Sequence, residues 1–267
     1  MANELELKEI VKEKYGKIAL ENNQTSSCCS SGCCCTSINN NVMSENYNGL
    51  NGYNSDADLG LGCGIPTKFA LIKKGDTVVD LGSGAGNDCF VARAEAGETG
   101  KIIGIDFTPE MLEKARENVK RKGFTNVEFI KGDIDNLPLE SNTADVIVSN
   151  CVLNLVPNKQ AVFNEIYRVL KNNGHFSISD IVLIGQLPEK IQKAAEMYAG
   201  CISGAIQKEE YMEIIKKTGF KNIIIQSEKN IIVPFDELRN YLTEEEAEKY
   251  KNNSNSQIIS ITVYAEK

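Results

Sequence analysis

Three cysteines stand apart from the rest of this sequence by their settings. Cys63 lies in the glycine-flanked loop Gly60-Leu61-Gly62-Cys63-Gly64-Ile65-Pro66, Cys151 follows Ser149-Asn150, and Cys201 opens Cys201-Ile202-Ser203-Gly204-Ala205. Thiolates without imidazole partners form a soft donor set, suited to a thiophilic ion and poorly suited to magnesium or calcium. The chain has one histidine, His175, and no tryptophan. Most routes to a Ser-His or Cys-His nucleophile and to a His-based zinc site are therefore closed. Any chemistry falls to sulfur, carboxylates, backbone groups or a cofactor. A single cysteine is more often packing than ligand, and Cys89, inside Asp88-Cys89-Phe90-Val91, is read as packing. The hypothesis for the other three is a trigonal site.

The second candidate is Asp80-Leu81-Gly82-Ser83-Gly84-Ala85-Gly86-Asn87-Asp88, which follows a short apolar run and opens a helical pattern. Glycines there let the backbone turn tightly and approach a ligand that the free amides of the helix start can meet. Asp106 comes 20 residues after Gly86, where a carboxylate accepts hydrogen bonds from ribose hydroxyls. This pattern binds a nucleoside, and NAD and S-adenosylmethionine compete for it. Two details favour S-adenosylmethionine: the acidic Asp80 before the glycines suits a cationic methionine moiety, and Asp133 in Gly132-Asp133-Ile134 can accept from the adenine amino group. The expected cofactor contacts are Asp80, Gly82, Ser83, Gly84 and Gly86 from the turn, with Asp106, Phe107, Asp133, Ile134 and Asn150 from the ends of later strands.

Placing these groups together requires a particular scaffold. Short β-branched runs at Thr77 to Leu81, Lys101 to Asp106, Val127 to Ile130, Asp145 to Ser149, His175 to Asp180, Phe220 to Gln226 and Ile258 to Ala265 alternate with helical patterns, the mark of βαβ units and a mainly parallel sheet. Pro109 to Lys122 puts Met111, Leu112, Ala115 and Val119 on one face, with Thr108 as cap, Pro109 at the first position and Gly123 as stop. A second helix is expected from Lys159 to about Lys171, with Val162, Ile166, Val169 and Leu170 inward. Leu187 to Lys217 reads as a helical insert or lid between the fifth and sixth strands. In an open α/β sheet, ligands sit outside the carboxyl ends of the strands. Cys151 is thus placed at the active face, and the loop and lid can bring the other two cysteines to it. Residues 1–58 read as an extension: a charged helix from Leu5 to Leu20, then a polar tract carrying Cys28, Cys29, Cys33, Cys34 and Cys35. A core over 59–183 and an insert with the last strands over 184–267 complete the expected organisation.

Composition sets outer bounds. The chain has 267 residues, 42% hydrophobic and 25% charged, enough to bury a core, with a formal net charge of −8. That sign disfavours nucleic acid. No apolar run is long enough to span a membrane and no secretion signal opens the chain, so a cytoplasmic protein without membrane or nucleic-acid partners is expected. The nine cysteines are accordingly not read as an extracellular disulfide framework. His175 is read as structural, and Glu244, Glu245, Glu246 and Glu248 as a solvated helix face.

From about Asp58 to Gly219 the motifs resemble the arsenite S-adenosylmethionine methyltransferases of the shorter bacterial kind. The resemblance is carried by the cysteine loop, the glycine turn, Asp106-Phe107-Thr108-Pro109-Glu110-Met111-Leu112, Ser149-Asn150-Cys151-Val152-Leu153-Asn154-Leu155, Arg168-Val169-Leu170-Lys171, Ser179-Asp180-Ile181-Val182 and Cys201-Ile202-Ser203-Gly204-Ala205. The glycine turn is common to many methyltransferases; the three cysteines in these contexts are far more specific. The resemblance implies a Rossmann-like class I methyltransferase fold with a seven-stranded sheet, helices on both faces and a helical lid. It implies S-adenosyl-L-methionine as cofactor and arsenite and methylated trivalent arsenicals as substrates. Cys63, Cys151 and Cys201 would bind arsenic, the last two holding the monomethylated species. Thioredoxin or glutathione would serve as reductant, and arsenic detoxification as purpose. The chain departs from the family where Phe107 replaces a common Met, where His175 replaces a frequent Arg, and in lacking the long C-terminal extension of many members. Two other readings stand beside it: a thiol-based metalloid-binding or redox-sensing protein, and a methyltransferase with an organic acceptor. The first predicts arsenite binding without cofactor dependence; the second predicts activity that survives thiol alkylation.

Overall fold

A computed structural model describes residues 4–21, 45–192, 200–202, 204–234, 238, 240, 242–251 and 256–267. The cysteines at 28–35 lie outside the described residues. Seven strands form one sheet: β1 (Thr77–Leu81), β2 (Lys101–Asp106), β3 (Val127–Lys131), β4 (Ala144–Asn150), β5 (Leu170–Ile184), β6 (Lys221–Asn230) and β7 (Gln257–Glu266). Their spatial order is β3-β2-β1-β4-β5-β7-β6. The first five pair in parallel, and β7 runs antiparallel to both β5 and β6. The mainly parallel sheet expected from the alternating pattern is the one observed. Its interior strand β1 carries buried apolar residues on both faces, Val78 on one and Val79 and Leu81 on the other, as a strand covered on both sides must.

Helices cover the sheet: α1 (Glu4–Glu21), α2 (Pro66–Phe69), α3 (Asn87–Ala96), α4 (Pro109–Lys122), α5 (Lys159–Val169), α6 (Lys208–Thr218) and α7 (Glu244–Lys251). On one face α3 and α4 bury Phe90, Leu112 and Ala115 against Ile102 and Phe129. On the other, α5 and α6 enclose Phe163, Ile166, Tyr211 and Ile215 over Phe176 and Phe220. Phe163 meets the Tyr211 ring edge-on at 5.5 Å between centroids and the Phe176 ring at 5.8 Å.

Local signals explain most boundaries. Helix α4 begins at Pro109 and stops at left-handed Gly123, with Lys120, Arg121 and Lys122 in its last turn where the helix dipole favours cations. Thr108 occupies the cap position but its hydroxyl makes no capping bond; instead its backbone N–H donates to Asp106 Oδ1 at 2.8 Å. Asn158 caps α5 by accepting from the Ala161 N–H at 3.0 Å. That helix ends at Val169 and not at Lys171, because Leu170 already pairs with Ala144 as the start of β5. The segment expected to be a helical insert opens with a helical turn at 189–192, passes a 3-10 turn at Gly200–Ile202 and ends in α6.

Strand order reverses between β1 and β4, since β1 leads outward to β2 on one side and β4 begins the other half. This switch point opens a crevice beyond the carboxyl ends of the two strands. The glycine turn after β1 and Asn150-Cys151 after β4 both lie there. Replacing the fully buried Phe163 by Ala removes the ring that ties α6 to the sheet; a loss of about 3–5 kcal/mol in unfolding free energy is expected from urea titration.

Candidate active site

The crevice is a single pocket with two chemically different ends. Its polar end is built by the glycine turn and by Asp106, Phe107, Asp133 and Ile134. Asp106 is held by two backbone donors, Gly84 N–H to Oδ2 at 2.9 Å and Thr108 N–H to Oδ1 at 2.8 Å. This orients the carboxylate and leaves lone pairs free toward the pocket. Asp80 is fully enclosed and accepts from the Cys89 thiol at 3.2 Å. Cys89 is therefore the packing cysteine expected, with a hydrogen bond that orients an acid. Burial pushes Asp80 well above the usual carboxylate range, reinforced by the neighbouring charge of Asp88, and burial likewise raises Asp106. Ser83 Oγ and Asn87 Oδ1 are buried at this end without a hydrogen-bond partner.

A ligand with a cationic head, ribose hydroxyls and an exocyclic amine fits this donor and acceptor set. Buried carboxylates gain from a cation, and the two orphaned oxygens gain from ligand donors. Gly82, Ser83, Gly84, Asp80, Asp106, Phe107, Asp133 and Ile134 all line the pocket as the sequence suggested. Gly86 does not belong with them. It stands behind the wall at φ +97°, where an added Cβ would lie 2.7 Å from the Phe129 ring, so it serves helix packing and not ligand contact.

Asn150 also departs from expectation. It lines the pocket, but its amide is engaged with the cysteine loop: Oδ1 accepts from Cys63 N–H at 3.0 Å and Gly64 N–H at 3.3 Å, while Nδ2 donates to Gly64 O at 2.8 Å. Nδ2 also reaches Tyr47 Oη at 2.9 Å and Asp88 Oδ2 at 3.1 Å. Gly62 has to be glycine, since a Cβ there would come within 2.5 Å of Asn150 Nδ2. Tyr47 donates to Asp88 at 2.9 Å and Thr67 Oγ1 reaches it at 3.3 Å. Burial lifts the Asp88 carboxyl to about 6, against the lowering effect of these hydrogen bonds. Sequence reasoning missed Tyr47 and Asp88 as site residues. Asp88 was visible only as an acid in the first turn of a helix, and Tyr47 carried no local signal.

Cys151 lines the apolar end of the pocket, and Cys63 and Cys201 share a buried cluster with it. Cys63, Cys151 and Cys201 are all buried and share a small core with Ile181, Ile191, Ile202 and Ile258. Cys151 sits in the left-handed region at φ +63°, costly for a residue with a side chain, and its N–H donates to Ser179 O at 2.8 Å. From there the neighbouring thiols of Cys201 and Cys63 disfavour ionisation of its own. Ser260 Oγ fixes the loop from below by donating to Cys63 O at 2.7 Å. Gly204 lets the Cys201 segment approach, because a Cβ there would collide with Asn154 O at 1.9 Å. Cys151 is pushed well above the ordinary thiol range by its thiol neighbours and by burial, and Cys63 is raised chiefly by burial. Among the described residues no group is set out as a ready-made metal-ion site. The raised Cys63 and Cys151 thiols favour their protonated forms, which an incoming soft centre would have to displace.

Behind the thiols, Asp180 accepts from Ile181 N–H at 3.0 Å and from Tyr211 Oη at 3.4 Å. Burial raises its carboxyl to about 7, with the Lys159 ammonium pulling the other way. His175 lies apart from all of this, bonded through Nε2 to Ala70 O at 2.6 Å, a structural role as expected. The acidic run forms α7, where Glu246 pairs with Lys190 at 2.8 Å and caps Thr243.

A methyltransferase-domain family model matches residues 72–219. The chain is 41% identical over 211 residues to the arsenite methyltransferase of Halobacterium salinarum, covering 79% of this chain and 51% of that protein. It is 38% identical to the human arsenite methyltransferase over 168 residues, 60% of this chain and 44% of that protein. The chain thus spans about half the length of these relatives. A solved arsenic(III) S-adenosylmethionine methyltransferase from Chlamydomonas reinhardtii superposes with a TM-score of 0.64 at 31% identity, covering 77% of this chain and 67% of that one.

Two measurements check the geometry. Asn150→Ala removes the amide that ties Cys63 to the switch point; a loss of about 1–3 kcal/mol in stability and faster alkylation at Cys63 are expected from urea titration and peptide mass spectrometry. A carboxyl raised from 3.8 to about 7 holds a proton in the folded chain that the unfolded chain has released. Its contribution is full below pH 3.8 and lost as pH rises through about 7. Asp180→Asn is expected to flatten that decline in a pH series of unfolding midpoints.

Proposed function

Because the chain belongs to the methyltransferase-domain family and, within it, to the arsenite methyltransferases, we propose that it methylates trivalent arsenic bound by Cys63, Cys151 and Cys201. The observation that carries this reading is the gathering of Cys63, Cys151 and Cys201, from a loop, a strand end and an insert, in one buried cluster that meets a nucleoside-type pocket at Cys151. When bound, S-adenosylmethionine supplies an electrophilic methyl group on a sulfonium. Asp80 receives its cationic end, Asp106 its ribose hydroxyls and Asp133 its adenine amine.

The thiols do the rest of the work by coordination. Each Cys S–H exchanges with an arsenic–oxygen or arsenic–thiol bond, forming S–As while the thiol proton leaves with the displaced hydroxide as water or with the displaced thiolate as thiol. The Cys63 and Cys151 thiols, whose ionisation burial and neighbouring thiols disfavour, lose their protons in this step and not before it. Trivalent arsenic keeps a lone pair when bound to sulfur, so the acceptor is nucleophilic and needs no general base. Positioning at roughly 3–3.5 Å in line with the methyl carbon is the main requirement. The apolar wall of Ile181, Ile202 and Ile258 excludes water from that line. Glutathione or thioredoxin would keep the arsenical and the cysteines reduced, and detoxification of arsenic is the purpose this activity implies.

Mass-resolved product analysis with arsenite, S-adenosylmethionine and excess thiol tests the reading, with a cofactor-free control. Methylated arsenic is expected only with cofactor. Cys151→Ser, which removes the thiol that lines the pocket, is expected to lower the rate of arsenite methylation at least about 100-fold; full activity in that variant would sink the site assignment.

A further inference from the structure

Helix α1 has no task in the reaction as described. Its charged sequence suggests an appendage, yet it lies across the pocket, which Lys8, Val11 and Tyr15 help to line. Two attachments hold it there. Lys8 Nζ reaches both carboxylate oxygens of Asp135, at 3.0 and 3.3 Å, and stands 3.6 Å from Asp133, on the loop after β3. Lys114 Nζ of α4 donates to Ala19 O at 3.5 Å. Between these points α1 crosses α4 closely: a Cβ on Gly16 would lie 3.1 Å from the Glu110 carboxylate.

Tyr15 occupies the middle of the crossing. The residue is partly exposed and lines the pocket together with Asp106 and Cys151. Negative charge on Cys201, Cys151, Asp106 or Cys63 would disfavour ionisation of the Tyr15 hydroxyl. Burial first, and then these groups, raise the phenol above its ordinary range, so it is neutral at physiological pH. A neutral, rigid, amphipathic side chain is suited to closing a boundary between a polar and an apolar compartment.

We propose that Tyr15 is a positioning residue carried on a lid: with α1 latched by Lys8, its side chain closes the pocket wall that it shares with Asp106 and Cys151 and keeps water and bulk thiols off the line of transfer. A partly exposed ion pair is weak enough to open for exchange of ligands. The purpose of the lid rests on the methyl-transfer reading, but the lid itself is measurable without transfer.

The experiment is peptide-resolved alkylation of the full chain by iodoacetamide, following Cys63, Cys151 and Cys201. Cys89, fully buried behind Asp80, reports on global opening. Tyr15→Ala is expected to speed alkylation of the three thiols about tenfold while Cys89 stays unchanged, as local opening predicts. Tyr15→Phe keeps the ring and should stay within about twofold of the parent. Lys8→Asp should mimic Tyr15→Ala, and adding Asp135→Lys should restore protection. Equal rates in Tyr15→Ala and the parent would overturn the proposal, as would a parallel rise at Cys89. If the pattern appears in a protein that makes no methylated arsenic, the lid stands and the substrate reading falls; if arsenic is methylated but alkylation is insensitive to residues 8 and 15, the lid alone falls.

Discussion

The amide of Asn150 is the contact on which the thiol site depends. It joins the end of β4 to a loop nearly ninety positions earlier in the chain, accepting from Cys63 and Gly64 N–H groups and donating back to Gly64 O. The next residue, Cys151, takes a left-handed backbone that a side chain resists. Strain of this kind persists only where surrounding structure over-determines it, and here Asn150 on one side and Ser179 O on the other do so. Tyr47, Asp88 and Thr67 brace the amide in turn. Two cysteines are thereby brought together by backbone and amide hydrogen bonds before sulfur chemistry enters.

The pocket combines environments that would conflict if they were mixed. At one end buried carboxylates are raised by burial and by one another, a condition that a cationic ligand relieves. At the other, isoleucines surround thiols whose ionised forms are disfavoured for the same reason of low local polarity. In the proposed reaction a trivalent soft centre would replace three protons there and leave no uncompensated charge in an apolar wall. The absence of histidine from the site is then chemically consistent, because coordination and alignment replace proton shuttling.

Some of this was legible in the chain. The seven strands appear where β-branched runs stood, and the parallel order follows from their alternation with helices. The glycine turn, Asp106 and Asp133 reach one pocket because the distance from a strand end to the next strand end is set by βα-unit length. Gly86 was misjudged for a physical reason: its missing Cβ makes room for Phe129 and not for a ligand, and both needs look the same in a glycine pattern. The end of α5 was misplaced because Leu170 has helix propensity but gains more as a strand partner of Ala144.

The sequence by itself determined the fold class, the nucleoside-type turn and the three cysteine contexts, since each is written in local periodicity or in residues adjacent along the chain. Only the tertiary structure decided that the three cysteines share one buried cluster, that Asn150 positions Cys63, and that Tyr47 and helix α1 belong to the site. Those facts rest on contacts between residues far apart in the chain, from Lys8 with Asp135 to Ser260 with Cys63. Such contacts exist only after the sheet has brought the ends of β1 and β4 together, and no local pattern of charge or hydrophobicity encodes them.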